Sequence, residues 1–111
     1  MARILVIDDE PSILESLNMF LTEKGHRVVT AETGTAGLAL FLNNTFPVVI
    51  MDIRLPDGNG LDILDAMMAE KKPSKIIMIT AFQDMETTIS AIKRGAFDYI
   101  HKPLEDRKSV V

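Results

Sequence analysis

The sequence predicts an α/β fold: a parallel sheet wrapped by helices. Short β-branched apolar runs alternate along the chain with longer stretches of helical period, the order expected of βα units. Three of the runs are close to continuously apolar rather than alternating, as strands covered on both faces are. The size fits one such domain. With 111 residues, 47% of them hydrophobic and 25% charged, the chain can bury a core and is neither disordered nor fibrous.

The strand candidates are Arg3 to Ile7, Arg27 to Ala31, Val48 to Met51, Lys75 to Ile79 and Asp98 to Ile100, of which the first, third and fourth should be central. Between them lie four helices. In the first, Ser12 reads as an N-cap with Glu15 completing a capping box, and Ile13, Leu14, Leu17, Phe20 and Leu21 form an apolar stripe that stops at Gly25. The second runs from about Thr33 to Asn43 and is weakened by Gly34 and Gly37. The third runs from Leu61 through Leu64, Met67 and Met68 to about Lys71, before Pro73. The fourth begins near Asp84 as N-cap, carries Met85, Ile89 and Ile92, and ends at Gly95. A fifth helix should come after the last strand. Only Leu104 to Val111 remain for it, roughly 12 Å at ~1.5 Å per residue, so the final helix is stunted or the chain is cut from a longer protein.

Composition removes several function classes. Lys and Arg number 12 against 16 Asp and Glu, a formal charge of −4, the wrong sign for a nucleic-acid groove; this segment is not expected to bind nucleic acid directly. There is no cysteine, hence no disulfide, thiolate zinc site or Cys nucleophile. Apolar runs such as Val48 to Met51 fall far short of the ~20 residues that span a bilayer, and no signal-peptide core succeeds Met1, so a cytoplasmic protein is expected.

The polar residues that matter sit immediately after strands. Asp8 and Asp9 come after the first, Asp52 after the third, Thr80 after the fourth and Lys102 after the fifth; in an open α/β sheet the crevice beyond the strands' carboxyl ends is where ligands bind. Carboxylates gathered there repel one another, so a cation must accompany them. An all-oxygen set without His or Cys suits Mg²⁺, which keeps water positions that phosphate oxygens can take. Lys102 adds a compact positive charge and Thr80 a hydroxyl donor, both suited to the oxygens of a phosphoryl group in transfer onto Asp52. Singly, Asp8, Asp9, Asp52 and Asp57 read as turn or cap residues. Together, at the ends of four strands, they read as a site.

These residues resemble the receiver domain of two-component response regulators, the CheY-like fold. The resemblance spans essentially the whole chain. It rests on Val6-Ile7-Asp8-Asp9-Glu10, on Met51-Asp52-Ile53-Arg54-Leu55-Pro56 with Gly58 and Gly60, on Ile79-Thr80-Ala81, on Gly95-Ala96-Phe97-Asp98-Tyr99-Ile100, and on Lys102-Pro103. It implies a flavodoxin-like, doubly wound five-stranded parallel sheet of order 2-1-3-4-5. It also implies that Asp52 accepts a phosphoryl group from a phosphohistidine on a sensor histidine kinase, and that Mg²⁺ is held by Asp9, Asp52 and the Arg54 backbone carbonyl, with Asp8 acting through water. Lys102 is implied to pair with the aspartyl phosphate, Thr80 to move to hydrogen-bond it, Tyr99 to turn inward with Thr80, and the Lys102–Pro103 peptide to be cis. The output face would be the fourth helix, the last strand and the segment beyond it.

The segment Thr80 to Thr88, with Leu55 to Gly60, most resembles receivers of NtrC-like transcriptional activators, in which an ATPase domain and a DNA-binding domain lie further along the same chain. This chain is accordingly expected to be the N-terminal part of a longer regulator, and a homodimer is left open. Arg54 and Phe82, two places after Asp52 and Thr80, are positions that in the family tune phosphate loss; charge and bulk there are expected to give a persistent phospho-state, which hydrolysis within seconds would refute.

The other features read blandly. His26 should face solvent beside an edge strand, His101 should be structural, and Glu105 to Lys108 should be a solvated helix start or linker. The methionines read as core, with Met85 available to a partner. The expectation is a phosphorylation-controlled switch with self-directed chemistry rather than a turnover enzyme. A small aspartyl-phosphate phosphotransferase or phosphatase is the alternative, but it needs a further acid or base and a substrate pocket that the sequence does not display. A contact-only receiver would lack part of the acid pocket, and here every member is present.

Overall fold

In the computed structural model, residues 2–81 and 85–102 are described, Ala81 and Lys102 by their backbones. The elements in chain order are β1 (Arg3–Ile7), α1 (Pro11–Glu23), β2 (Arg27–Ala31), α2 (Gly34–Asn43), β3 (Val48–Asp52), β4 (Arg54–Leu55), β5 (Gly58–Asn59), α3 (Gly60–Ala69), β6 (Lys75–Ala81), α4 (Met85–Lys93) and β7 (Asp98–Lys102). Five strands form one parallel sheet of order β2-β1-β3-β6-β7, the expected 2-1-3-4-5 once the short antiparallel pair β4–β5 is set apart. That pair was not expected from the sequence. The strand order reverses between β1 and β3, which opens a crevice at their carboxyl ends.

Alternating side chains divide the core into two layers. Leu5, Ile7, Phe41, Val49, Met51, Leu64, Met67 and Met78 pack on one side of the sheet. Ile4, Val6, Ile13, Leu14, Ile50 and Ile79 pack on the other. Because β1 lies between two strands under both layers, Leu5, Val6 and Ile7 are wholly buried, each worth about 1.5–3 kcal/mol of transfer free energy.

Local chemistry shifts several helix ends. α1 begins at Pro11, with Glu10 at the N-cap and no side-chain cap, so the expected capping box of Ser12 and Glu15 does not form. Proline's fixed φ starts the helix two residues earlier and places Ser12 inside it. Phe20, expected in the apolar stripe, is 52% exposed with the Lys24 ammonium 5.5 Å above its ring; the buried stripe narrows to Ile13 and Leu14, flanked by half-buried Leu17 and Leu21. Thr33, the expected start of α2, is its N-cap instead, its hydroxyl accepting the Ala36 N–H at 3.1 Å.

The glycines of α2 lie on its buried face with Phe41 rather than being its weakness. A Cβ on Gly37 would collide with the Cδ1 and Cγ1 atoms of Ile7, so glycine here lets the helix reach β1. α3 starts at Gly60, one residue before expectation, with the Asn59 side chain accepting the Leu61 N–H. In α4 the apolar residues point outward: Met85, Ile89 and Ile92 are 43%, 51% and 41% exposed, while Thr88 and Ala91 are buried. Asp84, Phe82, Pro103 and the expected final helix lie outside the described residues. His26 is half-buried rather than solvent-facing, because its Nδ1 accepts the Ala2 N–H.

Candidate functional site

Register carries separate parts of the chain to one edge of the sheet. Ile7 pairs with Met51, Asp52 with Ile79, Thr80 with His101 and Ala81 with Lys102, so Asp8, Asp52, Thr80 and the Lys102 backbone all stand at the carboxyl ends of neighbouring strands. Asp8, Asp52 and Thr80 are 0%, 4% and 1% exposed, unusual burial for acids and a hydroxyl at a strand end. Backbone amides hold the two carboxylates: Asp8 Oδ1 accepts the Glu10 N–H at 2.9 Å, and Asp52 Oδ1 accepts the Arg54 N–H at 3.1 Å.

Asp8, Glu10 and Asp52 each bring a carboxylate oxygen within 4.8 Å of the others, a set that could hold a metal ion. The donors are all oxygen, two of them buried, and their mutual repulsion is relieved by a hard divalent cation. Asp9 is exposed and stands outside this triad. Glu10 is its third member, and the sequence alone gave it no role although it lies in the Asp-Asp-Glu run. The signal was one of adjacency: the turn after β1 that buries Asp8 also brings Glu10, at the N-cap of α1, back over the crevice.

Around the acids, Arg54 is exposed and its backbone runs into β4 opposite Asn59. A groove of about 420 Å³ lined by Ile53, Arg54, Leu55, Gly58, Asn59 and Thr87 opens between the β4–β5 pair and the start of α4. Thr80 accepts a hydrogen bond from the Thr88 hydroxyl at 3.2 Å, inside the protein. Tyr99 is 37% exposed, its ring 5.0 Å from that of half-buried His101 and tilted by 33°. The side chain of Lys102, with Phe82 and Pro103, lies outside the described residues.

Residues 4–110 match the response regulator receiver domain. The chain belongs to that family. This receiver domain is 39% identical over 103 residues to the transcriptional regulatory protein KdpE of Mycobacterium tuberculosis, covering 93% of the chain and 45% of the relative. To the NtrC-like regulatory protein AtoC of Escherichia coli it is 35% identical over 103 residues, covering 93% of the chain and 22% of the relative. Its fold matches the response regulator TrrA of Thermotoga maritima, solved in complex with Mg²⁺-BeF, at a TM-score of 0.83 and 36% identity, covering 99% and 96% of the two chains. The chain thus spans under half the length of KdpE and about a fifth of AtoC. As a receiver domain it is a signalling domain of two-component systems, related to those of NtrC-like and other transcriptional regulators. Among the described residues no helix is long and apolar enough to cross a membrane.

Proposed function

We propose that this receiver takes a phosphoryl group on Asp52 and passes the resulting change to an effector. The observation that carries this reading is the buried Asp52 carboxylate at the end of β3, with two further carboxylates within 4.8 Å. In the transfer an Asp52 oxygen attacks phosphorus as the phosphorus–nitrogen bond of a kinase phosphohistidine breaks, and the bonding pair leaves with the imidazole. Asp8, Asp9, Glu10, Asp52 and the Arg54 carbonyl would hold Mg²⁺, which would supply charge neutralisation to the phosphoryl oxygens. Lys102 neutralises the charge that stays on the acyl phosphate, and Thr80 donates its hydroxyl to it. Burial of Asp52 limits water at the mixed anhydride. Charge at Arg54 and bulk at Phe82 add to that shielding.

The added charge and acceptor oxygens draw Thr80 and Lys102 inward and shift an equilibrium that already exists. Tyr99, exposed here beside His101, turns inward in the phosphorylated state, and the exposed Met85, Ile89, Ile92 and Phe97 give the α4–β7 face its surface for an effector. The length of the relatives supports reading the chain as the input part of a longer cytoplasmic transcription regulator with a sensor histidine kinase as donor.

The test is intact mass after incubation with acetyl phosphate, with and without Mg²⁺, for the wild type and Asp52→Asn. A Mg²⁺-dependent gain of one phosphoryl group that the variant lacks is the expected result. No adduct on the folded wild type would leave a contact-only domain.

A further inference from the structure

α4 presents its large apolar residues to solvent and only small ones to the sheet. Of those inward residues, Thr88 alone carries a hydroxyl; Ala91 is the other. Thr88 is 2% exposed and Thr80 is 1% exposed, and the Thr88 hydroxyl donates to the Thr80 hydroxyl oxygen at 3.2 Å across eight residues of chain. A valine would fill the same volume without bringing a polar group into a dry interior, where each hydroxyl must find a partner. The hydroxyl therefore has a use that packing does not supply.

We propose that Thr88 is a positioning residue that holds the Thr80 hydroxyl in its resting orientation, and so sets how readily this domain adopts its phosphorylated conformation. The proposal rests on the reading of Asp52 as phosphoacceptor. Thr80 stands one residue beyond Ile79, the cross-strand partner of Asp52, so its oxygen lies between two competitors: the Thr88 hydroxyl on the helix side and the acyl phosphate on the β3 side. Recruiting Thr80 to the phosphate breaks the bond to Thr88 and frees α4 from that tie. The coupling runs both ways by linkage: a partner that draws α4 and Thr88 away from the sheet makes phosphorylation easier by the same factor.

The measurement is the acetyl phosphate concentration that half-saturates the phosphorylated form in Mg²⁺, read by intact mass, for the wild type, Thr88→Val, Thr88→Ala and Thr88→Ser. The two variants without a hydroxyl should need about two- to tenfold less donor, the factor one net hydrogen bond supports, and Thr88→Ser should return to wild-type behaviour. A purely structural lesion would not raise the response, nor would serine rescue it. Unchanged or higher half-saturation in folded Thr88→Val and Thr88→Ala, with a wild type that is phosphorylated normally, overturns the latch alone. A wild type that takes no phosphoryl group overturns the latch and the phosphoacceptor reading together.

Discussion

Asp57 caps a helix that begins far before it in sequence: its carboxylate accepts the hydroxyl of Thr35 at 2.5 Å and the backbone N–H of the same residue at 2.8 Å, across 22 positions. The Gly34 N–H adds a third bond at 2.9 Å. At the other end of α2 the Lys72 ammonium reaches the carbonyls of Phe41 at 2.6 Å, Asn44 at 3.1 Å and Leu42 at 3.3 Å. An acid at the N-terminus and a cation at the C-terminus each oppose the partial charge of the helix end they meet. Asp57 also belongs to the turn that joins β4 to β5, so the cap ties α2 to the segment directly after Asp52.

That cap predicts an acid transition. The Thr35 hydroxyl first, then the Thr35 and Gly34 amides, hold the Asp57 carboxyl down from 3.8 to about 2. A folded-state value below the unfolded one means the contribution is complete above pH 3.8 and fades as pH falls toward 2. Thermal unfolding of the wild type and Asp57→Ala should therefore differ by a constant gap from neutral pH to about 4, and the gap should close below it. A gap independent of pH down to 2 would assign the loss to the turn rather than to the charge.

The acid triad predicts opposite responses in two solutions. Without divalent cation, Asp8→Asn should raise the melting temperature by several degrees, since about 1 kcal/mol moves a domain of this size by roughly 4–8 °C. Millimolar Mg²⁺ should raise the wild type through binding to the folded state, and the variant much less. Differential scanning fluorimetry across a Mg²⁺ titration reads both. Equal Mg²⁺ shifts in the two proteins would remove Asp8 from the site.

Gly60 sits where the end of β3 and α3 nearly touch. A Cβ there would lie 2.5 Å from the backbone oxygen of Asp52 and 2.7 Å from that of Ile53, and backbone cannot step aside as a side-chain end can. Gly60→Ala should cost about 1–3 kcal/mol in urea unfolding and slow phosphorylation by acetyl phosphate in the fraction that remains folded. A variant with unaltered stability would show that the start of α3 can shift.

Tyr99 is the single tyrosine of a chain without tryptophan, so its emission is a private report on the α4–β7 face. Its ring is 37% exposed beside His101 at rest. Phosphorylation should change its fluorescence and its quenching by iodide, with quenching reduced as the ring leaves solvent. Asp52→Asn under the same donor should show neither change.

Much of this was legible in the residues, for reasons that differ by element. The central strands announced themselves because burial on both faces demands apolar runs, and Asp8, Asp52 and Thr80 stood out because they break those runs at the same edge. α4 buries Thr88 and Ala91 and exposes its apolar residues, and α2 buries Gly34 and Gly37 beside Phe41; periodicity reports which residues are greasy, so the small buried ones escaped it. The role of Asp57 was half-visible: a cap was expected, but the helix it caps could be found only once the chain had closed on itself. Glu10 was hidden by its neighbours, since in an Asp-Asp-Glu run only the turn decides which acids share a pocket.

The clamps on α2 and the thin inner face of α4 divide the molecule mechanically. Charged ends anchor α2 to the chain on both sides of α3, whereas α4 lies on the sheet through Thr88 and Ala91. One flank is a braced strut; the other rests on two small side chains, with the Arg94–Asp65 ion pair beyond its end, so a pull on Thr80 meets a thinner seam there.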